Sequence, residues 1–215
     1  MILAMKKPHA THTDSPRRQR QIIDAALACF TEKGFPATSI ADICRKAGAS
    51  TGSVYHHFKS KGQLAAAIYL EGVRDYQAGM IEALSKETTA KGGICAIVRY
   101  HLTWVKTHPE WARFLFQKRH AEYMDDTEDR MQRLNAAFAK NMAAWFAGHI
   151  AAGAIRPLPR DVFIAVLMGP CQEFARMVVA GHAKTGVDRA ADELAAAAWA
   201  GLGLEKGKNE QPFMS

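Results

Sequence analysis

Side chains that can hydrogen-bond to anions crowd a short stretch: Thr51, Ser53, Tyr55, His56, His57, Lys59 and Lys61. No carboxylate stands among them. Hydroxyl, imidazole and ammonium groups suit phosphate oxygens, and some also suit the edges of bases. Val54 and Phe58 interrupt the run four residues apart. That spacing puts both on one face of a helix, so Thr51, Gly52 and Tyr55 point away from it together. A glycine inside a helix costs about 1 kcal/mol relative to alanine, but it lets the backbone approach a base edge closely. The stretch therefore reads as a nucleic-acid contact. Thr51, Gly52 and Tyr55 face the bases, while Ser53, His56, His57, Lys59 and Lys61 reach phosphates. Thr38 is counted with the phosphate donors, and Arg17, Arg18 and Arg20 add positive charge nearby.

The elements that must position this face are legible from caps and breakers. Ser15-Pro16 reads as an N-cap followed by Pro at the first helical position. Ile23, Ala26, Leu27 and Phe30 then recur at helix spacing up to Gly34. Thr38 or Ser39 opens a second, short helix with Ile40, Ile43 and Ala47 inward and Gly48 as its stop. Ser50 caps the third helix. Ser60-x-x-Gln63 is a capping box that starts a fourth, running through Leu64, Ile68 and Val73 to about Leu84. Two short helices joined through Gly48 have the helix-turn-helix pattern, in which the second enters the major groove by its N-terminal residues.

The remainder is also helical. Gly92-Gly93 reads as a break. Ile94, Ile97, Val98, His101, Leu102 and Val105 form an amphipathic stripe, and Pro109 starts a helix carrying Trp111, Phe114, Leu115 and Phe116. Asp125, Asp126, Glu128 and Asp129 suit the positive end of the next helix dipole, whose core face is Met131, Leu134, Phe138, Met142 and Trp145. Pro157 and Pro159 precede a helix at about 161–180, and a last one spans about 188–202. Period-2 runs of β-branched residues are absent. The expected fold is all-α with about nine helices. Its parts are a tail at 1–14, a DNA-binding head at 15–62, a body for ligand binding and dimerisation at 63–204, and a tail at 205–215.

Thr38 through Leu64, and above all Tyr55-His56-His57-Phe58-Lys59-Ser60-Lys61, resembles the signature of the TetR family of transcriptional regulators. The resemblance covers residues 16–70 well; beyond them it extends only to helix order and length. It implies base contacts for Thr51, Gly52 and Tyr55, and phosphate contacts for Ser53, His57 and Lys61. Ala41 stands where some members carry a long polar side chain, so their operator preference is not transferable. The resemblance also implies a repressor released from a palindromic operator by a small-molecule effector. It further implies a homodimer built on the last two helices, with Val166, Pro170, Phe174, Val178 and Trp199 at the interface. His101, Trp104, Phe114, Phe138, Trp145 and Phe163 are the candidate pocket residues, although aromatics and a histidine on an apolar face also read as core.

Bulk properties fit this reading. The 215 residues carry a formal net charge of +7, which favours polyanionic partners. Cys29, Cys44, Cys95 and Cys171 are far apart, which indicates neither a zinc nor a disulfide framework. No metal and no cofactor are expected. The His9-x-x-His12 pair lies in the expected tail, and His120 reads as a core histidine. No run of 18 consecutive apolar residues occurs, so no membrane partner is expected. Met1 to Met5 precede their lysines, unlike a secretory leader, so the expected location is cytoplasmic. Two other classes of function compete. A helical enzyme lacks H-E-x-x-H, a P-loop, G-x-G-x-x-G and G-x-S-x-G. A head that binds protein instead of duplex would lack salt-dependent DNA binding.

Overall fold

The computed structural model describes residues 14–116 and 128–204, and nine α-helices and no strand occur among them. The helices are α1 (Asp14–Lys33), α2 (Ile40–Ala47), α3 (Thr51–His57), α4 (Lys61–Ser85), α5 (Ala90–Thr107), α6 (Pro109–Phe116), α7 (Glu128–Ala151), α8 (Arg160–Val179) and α9 (Val187–Leu202). The expectations for His9, His12, His120, Asp125, Asp126 and the 205–215 tail lie outside the described residues. Contacts divide the chain into two units, with the division between Tyr69 and Leu70 inside α4.

In the first unit α1 packs on α2 and α3. Its core holds Ile22, Ala26, Phe30, Ile43, Val54, Leu64 and Ile68, all fully buried. α1 starts at Asp14, two residues before the Pro16 start that Ser15-Pro16 suggests. Gly34, at φ +81°, ends it by donating its N–H to the Phe30 carbonyl at 3.0 Å. The box opening α4 is only half formed as expected. Ser60 Oγ accepts the Gln63 N–H at 3.0 Å, but Gln63 Oε1 accepts the N–H of Lys59 (2.7 Å) instead of that of Ser60.

In the second unit α5 is the central helix, packed on α6, α8 and α9. Ile94, Ile97, Val98, His101, Leu102 and Val105 are all buried, as the stripe requires. The expected break at Gly92-Gly93 does not occur; both residues lie in the first turn of α5. Thr89 caps that turn by accepting the Gly92 N–H at 3.0 Å. A Cβ at Gly93 would overlap the Trp145 ring, so this glycine provides a close approach and not a turn. A short antiparallel bridge between Ile155 and Gly203 ties the segment after α7 to the end of α9.

The expected core face of α7 needs correction as well. Met131, Leu134, Phe138, Met142 and Trp145 are only half-buried, and Phe146 is the one buried residue of that helix. Phe138 and Met142 border an open cavity, described below, in place of closed packing.

Candidate nucleic-acid interface and body cavity

The head is built around local caps. Ser39 Oγ accepts the Asp42 N–H at 3.1 Å, and the Asp42 carboxylate accepts the Ser39 N–H at 3.0 Å. The Ser39 hydroxyl and then the Lys33 ammonium hold the Asp42 carboxyl well below the usual carboxylate range. Gly48 closes α2 in the left-handed conformation, at φ +57°, where a side chain would be strained. Its carbonyl accepts a long bond of 3.4 Å from the Arg18 guanidinium. Ser50 then caps α3 by accepting the Ser53 N–H at 3.1 Å. The turn is thus fixed at both sides of Gly48.

This frame gives α3 a buried side and an open side. Val54 and Phe58 are buried at 0% and 4% exposure, while Tyr55 is 49% exposed. Thr51 and Gly52 are also exposed, together with His56 and Lys59, and Ser53 and His57 are half-buried. Desolvation, then the neighbouring His56 and Arg18, hold the His57 imidazole below its ordinary pKa. At neutral pH it therefore offers a neutral N–H donor. Of the basic residues on α1, Arg17 is exposed and Arg20 pairs with Asp24 at 2.9 Å. Ala41 is exposed on α2.

Two expected phosphate donors have other duties. Thr38 is 2% exposed, and its hydroxyl bonds the carbonyls of Cys29 (3.1 Å) and Gly34 (2.8 Å). Lys61 Nζ donates to the carbonyls of Phe35 and Thr38, each at 2.8 Å, and lies 4.5 Å from the centre of the Phe35 ring. Between them the two side chains satisfy carbonyls in the last turns of α1 and in the loop that follows it. The same polar types suit a phosphate or a backbone carbonyl, and here burial decides for the carbonyl.

In the second unit, helices α4, α5, α7 and α8 enclose a cavity of about 660 Å³. Tyr76, Gln77, Ile97, Phe138, Met142, Phe146, Phe163, Leu167 and Met168 are among its walls. Of the pocket residues expected from sequence, only Phe138 and Phe163 line it. His101 is one step removed, with its Nδ1 2.8 Å from the Tyr76 hydroxyl. Burial pushes the His101 imidazole down to about 4, so it stays neutral. Trp104 borders a separate, smaller cleft, where its Nε1 donates to Asp75 at 2.9 Å and its ring stacks on His108. Phe114 is fully buried, and Trp145 packs on Gly93, Phe146 and His149. Reasoning from aromatic residues missed Gln77. Its sequence signal is a polar residue in the stripe Val73, Gln77, Met80, Leu84.

The expected interface residues divide as well. Pro170 is exposed on α8, which continues through it. Val166, Phe174, Val178 and Trp199 are half-buried within the chain, with Val166 close to Gly201 and Trp199 close to Gly203. Ile164, Val162 and Met177 are the large apolar side chains that α8 leaves most open, at 48%, 43% and 41% exposure. The helix is long and apolar enough to cross a membrane by length and composition alone, and only 22% of its most apolar window is buried. Among the described residues, no group of His, Cys, Asp or Glu could hold a metal ion, and all four cysteines are free thiols.

The chain thus combines a helix-turn-helix head that has an open face with a helical body that holds a cavity. Residues 22–68 match the family model of the tetR family of bacterial regulatory proteins. The chain is 28% identical to the fatty acid metabolism regulator protein of Bacillus subtilis over 39% of its own length and 43% of that relative's. It is 28% identical to the transcriptional repressor Rv1474c of Mycobacterium tuberculosis, over 60% of this chain and 73% of the relative. A tetR-family regulator from Marinobacter aquaeolei shares the fold, with a TM-score of 0.72 and 18% identity across 87% of this chain and 98% of that one.

Proposed function

We propose that the protein is a cytoplasmic homodimeric repressor that leaves a palindromic operator when a small molecule enters the body cavity. The observation that carries this reading is the two-sided α3, with Val54 and Phe58 buried and Tyr55 49% exposed beside Thr51 and Gly52. A plain surface helix has no use for an open tyrosine next to a glycine. Residues 15–62 act as the reading head and residues 63–204 as the sensing and pairing body. Thr51, Gly52 and Tyr55 contact bases, while Ser53, His56, His57 and Lys59 contact phosphates. Repression is also the activity in the name of the Mycobacterium tuberculosis relative.

Pairing rests on the open apolar side of α8, including Val162, Pro170 and Met177, which a second copy would cover. Sensing rests on the cavity, whose wall includes Tyr76, Gln77 and Met80 of α4. That helix begins at Lys61, directly after the recognition segment, so chain continuity links cavity and head. A coupling of about 1–3 kcal/mol would weaken DNA binding roughly 5–150-fold, and operator would weaken the ligand by the same factor.

Selection from a random duplex library followed by footprinting tests the reading. The expected footprint has two inverted half-sites about one helical turn apart, or a multiple of that. Protection of one short asymmetric site, or no enrichment at all, would refute it.

A further inference from the structure

The cavity's chemistry narrows what can occupy it, and the inference drawn from it rests on the reading of the cavity as the effector site. Its walls are almost wholly apolar, with four aromatic rings from Tyr76, Phe138, Phe146 and Phe163. The Tyr76 hydroxyl shares a hydrogen bond with His101 Nδ1 at 2.8 Å. One wall group is both buried and incomplete. Gln77 is 8% exposed; its Nε2 donates to Asn135 Oδ1 at 2.9 Å, and its Oε1 has no partner. A buried amide oxygen without a partner carries a desolvation penalty that a ligand can relieve.

The open Gln77 Oε1 can only accept, so the group that completes it must be a donor, and a hydroxyl is an uncharged donor that suits an apolar molecule. Among the described residues no carboxylate lines the cavity, and Arg160 is the one formally charged wall residue. A cationic ligand would be desolvated there without a counter-charge, at a large cost.

We infer that the cavity takes an uncharged or anionic, predominantly apolar molecule carrying a hydroxyl group that hydrogen-bonds to the Gln77 amide. The apolar body supplies most of the affinity, and the hydroxyl fixes its orientation against α4 and α7.

Calorimetric titration of the full-length protein with three probes tests this: 1-decanol, its methyl ether, and decyltrimethylammonium. The alcohol should bind at least about fivefold tighter than the ether, which cannot donate. The ammonium ion should bind more weakly than both. Gln77→Met keeps the length and removes the amide, so it should bind alcohol and ether equally. Ala139→Trp fills the cavity and should abolish binding of all three, and its unchanged melting cooperativity would show that it folds. The inference is overturned if decanol does not bind, if the ether binds as well as the alcohol, if the ammonium ion binds best, or if Gln77→Met keeps the preference. If Ala139→Trp leaves decanol binding intact, the ligand sits elsewhere, and the reading of this cavity as the effector site fails instead.

Discussion

The head and the body satisfy their polar groups in different ways. In the head, Ser39, Gly48, Ser50, Thr38 and Lys61 each close a backbone group that the helices leave open. Among the described residues of the body, two buried side-chain atoms have no partner, Gln77 Oε1 and His101 Nε2, and a cavity of about 660 Å³ interrupts the packing. Native interiors rarely leave such atoms unpaired. The head is thus a finished reader with one fixed face. The body is unfinished in two places, at the cavity and along the open side of α8, and each place suits something that binds.

The largest expected departure from this contrast concerns His101, which is 2% exposed and neutral in the fold. Its folded pKa of about 4 lies below its ordinary value of 6.5. The unfolded chain therefore takes up the proton first as pH falls. The stability this histidine contributes is full above 6.5 and is lost progressively down to about 4. The loss amounts to about 3 kcal/mol, at 1.36 kcal/mol per pH unit. His101→Asn keeps an acceptor for the Tyr76 hydroxyl and cannot titrate. Its unfolding midpoint should fall less than that of the wild type between pH 7 and pH 4. Parallel curves for the two proteins would show that His101 is protonated in the fold.

Lys61 offers a smaller effect in the head. Lys61→Ala removes the donor to the Phe35 and Thr38 carbonyls. A loss of about 1–3 kcal/mol in stability is expected. Because the ammonium serves carbonyls, the slope of log affinity against log salt should not change. A slope shallower by about 1.8, at roughly 0.9 per phosphate in a dimer, with unchanged melting, would return Lys61 to the phosphate contacts.

What was legible in the sequence followed from how local the cause was. Ser50, Gly48 and the Val54–Phe58 pair act within one or two turns, so spacing alone revealed the open face of α3. Lys61 bonds across 23 and 26 residues of chain and Thr38 across 4 and 9, and their types suit phosphates equally well, so spacing within one helix did not reveal these carbonyl bonds. Gly93 was read as a breaker because its reason, the Trp145 ring, lies on another helix. Gln77 was missed for a similar cause. Its partner Asn135 is 58 residues away, and the only hint was a polar residue in an apolar stripe. Aromatic content pointed to the cavity only through Phe138 and Phe163, because packing, not residue type, decides which rings border a void.

The central claim is that the exposed face of α3 reads sequence. Tyr55→Ala tests it most directly, by titration against selected operator and scrambled duplexes at one fixed salt concentration. Val54 and Phe58 hold the helix from behind, so melting should be unchanged. Affinity for operator should fall by about 1–3 kcal/mol per subunit, while affinity for the scrambled duplex stays the same. Equal weakening on both duplexes would place Tyr55 on the phosphate backbone and contradict the account.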